Sequence, residues 1–104
     1  MIFMVRIDVM IPPEMPAAEK DKLRERENAR ARELIEEGTM LRIWRIVGRV
    51  ANFSLWQAET LEALHEKIGS LPMFPYMKVD VTPLINHPMT ETAEARNGRA
   101  APRK

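Results

Sequence analysis

From Ile2 to Met10 apolar and polar residues alternate: Phe3, Val5, Ile7 and Val9 fall on one side, and Met4, Arg6 and Asp8 on the other. A period of two is that of a half-buried strand. Pro12, Pro13 and Pro16 then stop any ladder, and because proline is tolerated in a first helical turn, a helix is expected from about Pro16. Ala17 to Glu37 are strong helix formers, and Gly38 stands where a left-handed C-terminal cap belongs. Most of this helix is charged. Its apolar positions are Leu23, Ala31, Leu34 and Ile35, and stepping by three or four from Leu23 to Ala31 and Leu34 passes through Glu27.

Leu41 to Trp56 holds two apolar, β-branched and aromatic runs that meet near Gly48, the pattern of a hairpin. Arg45, Asn52 and Ser54 interrupt these runs, and polar groups at such positions need partners or a ligand. Thr60 can cap a second helix with Leu61, Leu64 and Ile68 on its buried side and Glu62 and Glu66 on its polar side, ending at Gly69 or Ser70. His65 lies at the boundary of that buried side and reads as a histidine satisfied by backbone or solvent. Leu71 to Tyr76, with two prolines and two aromatics, makes a stiff apolar connector. Met77 to Leu84 alternates again and supplies a fourth strand. Residues 1–88 thus form one domain, and Met89 to Lys104 are expected to be a flexible tail or an arm laid on a neighbouring subunit.

The order strand, helix, strand, strand, helix, strand is that of an α+β, ferredoxin-like βαββαβ domain: a four-stranded antiparallel sheet with two helices on one face. The other face would present Met4, Arg6 and either Ile43 or Trp44, depending on register, with Trp56 near one end. A small domain rarely leaves that much apolar surface wet. Self-association into a homodimer, or a larger ring of dimers, follows from the patterning.

Composition narrows the field. The chain has 104 residues, 45% of them apolar, enough for one modest core and too few for two. Sixteen basic and 15 acidic residues leave no field that argues for nucleic acid or an anionic membrane. The absence of cysteine excludes disulfides and thiolate metal sites. Met1 to Arg6 lacks the features of a signal peptide and no apolar run approaches the roughly 20 residues of a membrane helix, so a cytoplasmic location is expected.

Glu27 is the residue whose position calls for a reason. In one reading it pairs with Arg24, Arg30 or a strand arginine and steadies the helix. In the other it is a partly desolvated carboxylate whose pKa rises toward the range of a general base. Spacing leaves both open.

Phe3-Met4-Val5-Arg6, Gly38, Leu41 to Gly48 with its Trp44-Arg45-Ile46-Val47-Gly48 block, Ala51 to Ser54, Leu64-His65, Leu71 to Met77 and His87-Pro88 together resemble the muconolactone isomerase family. The similarity runs without an obvious gap from Met1 to about Pro88. It implies a cofactor-free isomerase of the catechol branch of the 3-oxoadipate pathway, a ferredoxin-like fold, and a decamer of intertwined subunits. The implied reaction converts a carboxymethyl-bearing unsaturated lactone to 3-oxoadipate enol-lactone. A base takes the proton from the ring carbon that carries the side chain, charge spreads onto the lactone oxygen, and a proton returns two carbons away. Such chemistry needs a positioned base, a cation or donors at the developing oxyanion, and an anchor for the substrate carboxylate, with no metal.

Carried onto this chain, the resemblance makes Glu27 the proton shuttle and Arg45 the cation for the substrate carboxylate or the dienolate oxygen. An ion pair between the two would be compatible with those roles. Arg24 stands where relatives often have lysine and is either a substrate contact or an exposed charge. Asn52 and Ser54 share a strand face and either donate to the lactone or satisfy the hairpin. Tyr76 is either pocket wall, hydroxyl donor or core. The family often has histidine where this chain has Met4 and Arg42, and histidine then tyrosine where it has Arg49 and Val50. Related proteins altered at such positions eliminate chloride from chlorinated muconolactones, which is the first alternative activity. A cofactor-independent oxygenase and a noncatalytic ligand-binding assembly module are alternatives of different class.

Overall fold

β1 (Ile2–Val9) is the strand through which the rest of the sheet is organised in this computed structural model, which describes residues 1–90. It pairs antiparallel with β3 (Ala51–Gln57) on one side and with β4 (Met77–Leu84) on the other, and β2 (Met40–Arg45) pairs with β3 at the far edge. The sheet order is β2-β3-β1-β4. With α1 (Ala17–Glu36) and α2 (Leu61–Gly69) this is the expected ferredoxin-like α+β arrangement.

The alternation in β1 decides which face is covered. Phe3, Val5 and Ile7 are buried and form one core with Leu34 of α1, Leu64 and Ile68 of α2, Met40, Trp56 and Leu71. Both helices therefore lie on the same side of the sheet. Leu23 and Leu34 are the buried residues of α1, whereas Ile35 remains 45% exposed, so the helix buries a narrow stripe.

Local chemistry sets the element ends. After α1, Gly38 takes φ +85, and the amides of Gly38 and Thr39 bond back to the carbonyls of Ile35 and Leu34, closing the helix in the left-handed way that glycine permits. The Thr60 hydroxyl accepts the Ala63 amide at 3.0 Å and caps α2. In the β2–β3 turn, Gly48 has φ +82 and the Arg49 amide bonds to the Ile46 carbonyl.

Register settles two points that alternation left open. Met40 lies opposite Trp56 and Ile43 opposite Ser54, with a shift between Met40 and Arg42. This irregularity at Leu41 resets the period, so Met40 and Ile43 both face the helices while Trp44, opposite Phe53, faces away. Trp56 does not lie on the outer face, as the pattern had suggested. It lies opposite Phe3, is fully buried, and its indole N–H donates to Ser54 Oγ at 2.7 Å, which satisfies the polar end of a core tryptophan. The outer face carries Met4, Arg6, Asp8, Trp44 and Phe53, with Trp44 and Phe53 at 40% and 37% exposure. His65 is exposed and meets Phe74 edge to face at 6.2 Å.

Beyond β4, Pro88 to Thr90 begin a helical turn, with the Met89 amide donating to His87 Nδ1 at 3.0 Å. The expected tail or arm otherwise lies outside the described residues. No helix among the described residues is long and apolar enough to cross a membrane.

Candidate active site

Parts of the chain distant in sequence converge on a partly enclosed cavity of about 320 Å³ between α1 and the inner face of the sheet. β1 contributes Ile7 and Val9, β2 and β3 contribute Arg45, Asn52 and Ser54, α1 contributes Arg24 and Glu27, and the connector after α2 contributes Leu71 and Met73. The lining is mostly apolar with a few convergent polar groups, the usual character of a small-molecule site. Five of the six residues singled out from the sequence therefore share one cavity. Tyr76 lies in a short 3-10 turn (Phe74–Tyr76) and is not among the lining residues.

Glu27 is half-buried, one turn from the buried Leu23 and one turn from Ala31, which packs on the core. Its Oε1 accepts the Met73 backbone N–H at 2.9 Å. None of the ion pairs expected for it forms: Arg24 reaches Asp21 at 3.5 Å, Arg30 bonds Glu33 and Ser70, and Arg45 makes no salt bridge among the described residues. The result, among the described residues, is a carboxylate set against apolar surroundings with one amide donor and no cation. Desolvation raises its pKa above the ordinary 4.5, and the Met73 amide opposes part of that rise.

Arg45 projects from the end of β2 on the same face as Asn52, which lies directly across from it, and Asn52 is in turn opposite Ile7. Arg45 is exposed, as a group at a cavity mouth would be. The Asn52 Oδ1 is buried and receives no hydrogen bond among the described residues. Ser54 behaves differently: it is fully buried, accepts from Trp56 Nε1 and donates to the Val5 carbonyl at 3.4 Å, so its hydroxyl is already committed to the core.

Asn28, Met40, Ile43, Val50 and Met77 also line the cavity. Asn28 stands beside Glu27 and had no periodic signal to separate it from the solvated helix surface. The role of Met73 is carried by its main chain, which no residue type announces. Of the positions where this chain departs from the resemblance, Arg24, which keeps the positive charge, and Val50 are among the lining residues. Met4 faces outward beside Trp44 and Phe53, the Arg42 guanidinium lies over the Trp44 ring at 5.0 Å, and Arg49 borders a separate open cleft.

Comparison with known proteins points to one family. The family model described as muconolactone delta-isomerase matches residues 1–90. Muconolactone delta-isomerase of Cupriavidus pinatubonensis is 44% identical over 88 residues, covering 85% of this chain and 96% of that one. The Pseudomonas aeruginosa muconolactone delta-isomerase is 36% identical over 96 residues, covering 92% of this chain and all (100%) of the relative. The crystal structure of muconolactone isomerase at 3.3 Å resolution superposes with a TM-score of 0.80 at 40% identity, covering 85% of this chain and 92% of that one.

Proposed function

The chain belongs to the muconolactone delta-isomerase family, and from that premise we propose that it converts muconolactone to 3-oxoadipate enol-lactone by a 1,3-proton shift carried by Glu27. The observation that supports this most directly is the half-buried Glu27 carboxylate in a cavity of about 320 Å³, held through one oxygen by the Met73 amide and paired with no cation among the described residues. The other oxygen is left for a substrate proton. Raising the pKa of a base toward neutrality strengthens it while keeping proton return downhill, which suits a group that must both take and give back the same proton.

In this reading the ionised Glu27 removes the proton from the ring carbon that bears the carboxymethyl group. The C–H electron pair enters the ring, giving a dienolate with charge on the lactone oxygen, and protonated Glu27 delivers the proton two carbons away. The double bond has then moved and the carboxylate is restored. Arg45 supplies positive charge to the anionic substrate, because Arg24, the other cation of the lining, lies beside Asp21. Ile7, Met40, Met73 and Met77 exclude water from the ring.

Residues 1–88 constitute the isomerase domain in this account. The outer sheet face with Met4, Trp44 and Phe53 is the surface for self-association into a homodimer, and dimers build the decamer that the resemblance implies. The substrate is a water-soluble carboxylate of aromatic catabolism, and the enzyme is placed in the cytoplasm. Purified protein is tested by ultraviolet absorbance with muconolactone and, separately, by chloride release from 5-chloromuconolactone. Turnover of the first supports the proposal; turnover of the second alone would reassign the protein to dehalogenation.

A further inference from the structure

Resting on that reading, we propose that Asn52 is a positioning residue: when substrate binds, its side-chain oxygen takes a hydrogen bond from the Arg45 guanidinium and aims that group at the substrate carboxylate. The two residues face each other across β2 and β3. Directly opposed residues of an antiparallel pair share a face, with Cβ atoms about 4.5–5.5 Å apart, well within the reach of arginine.

The need for a donor comes from Asn52 itself. Its Oδ1 is buried without a hydrogen bond among the described residues, in a region where an unpaired acceptor is costly. A lactone carboxylate offers only acceptors, so the substrate cannot satisfy this oxygen. Nor can its neighbours on the face: Ile7 is apolar, the Ser54 hydroxyl is taken by Trp56 and the Val5 carbonyl, and ionised Glu27 is an acceptor. Of the other donors in the lining, Arg24 and Asn28 belong to α1, where Arg24 is drawn toward Asp21. Arg45 is directly opposite and makes no salt bridge among the described residues. A guanidinium carries five N–H donors in a rigid fork, so one edge can serve Asn52 while another grips a carboxylate.

A steady-state double-mutant cycle tests this with muconolactone. Asn52→Leu removes the acceptor at similar shape. It is expected to raise KM about tenfold with kcat changed by less than about threefold, while the unfolding midpoint stays level or rises, because an unpaired polar group has been replaced by an apolar one. In the Arg45→Ala background the same substitution should change KM by less than about twofold. An unchanged KM in Asn52→Leu, or the same tenfold loss in both backgrounds, would overturn the proposal, the second result marking an independent substrate contact. Should the leucine variant fail to fold, Asn52→Ala enters the same cycle with the same criteria. Wild-type protein that neither binds nor turns over muconolactone would overturn the activity and the positioning role together; an active wild type with additive losses would overturn the positioning role alone.

Discussion

The Oε1 of Glu27, in the middle of α1, accepts the backbone N–H of Met73 at 2.9 Å. This contact ties the first helix to the connector after α2. It also holds the carboxylate in an environment whose two effects oppose each other: desolvation favours the neutral acid, and the amide favours the anion, with desolvation the larger.

The pH dependence of kcat/KM follows from that balance. In the proposed mechanism proton abstraction needs ionised Glu27, so activity should fall as pH drops through a pKa lying above the ordinary 4.5. A pH–rate profile on the free enzyme measures it. An acid limb at or below 4.5 would mean that burial does not govern this group.

Stability should respond to the same carboxylate. A folded-state pKa above the unfolded value makes the native state bind more protons, so the stabilisation from the neutral acid is present at low pH and is lost as pH rises through the folded pKa. Glu27→Gln retains an acceptor for the Met73 amide without the charge. Its unfolding midpoint should gain on wild type between pH 4 and pH 7, and thermal denaturation at both pH values checks the direction.

Ser54 should prove structural. Ser54→Ala leaves the fully buried Trp56 indole N–H without its 2.7 Å partner, an unsatisfied buried donor costing about 1–3 kcal/mol. Chemical denaturation should register that loss while kcat/KM stays within a few-fold of wild type.

The outer sheet face should govern assembly. Trp44 and Phe53 are opposite each other and 40% and 37% exposed, and replacing both by glutamate places charge where apolar surface would be covered. Light scattering coupled to size exclusion should show a smaller species for the double variant than for wild type.

Much of this was legible in the chain. The alternation in β1, the Thr60 cap and the glycines at 38 and 48 announced element type and ends, because each depends on local backbone chemistry. Glu27 was visible because a carboxylate on an apolar stripe breaks a pattern. Its actual partner was not, since Met73 lies 46 residues away and contributes an amide that every residue but proline possesses. Trp56 was misplaced for a related reason: its pairing opposite the buried Phe3 decides that its parity faces inward, and a strand partner is a tertiary fact. Asn52 could be identified as polar in an apolar strand, but its buried oxygen, unpaired among the described residues, emerged only with the register.

Turnover of muconolactone by Glu27→Gln, compared with wild type at a temperature where both are folded, bears most directly on the mechanism. A loss of at least about a hundredfold is predicted, the scale of general base catalysis. Turnover close to wild type in a folded variant would show that the proton is moved by another group.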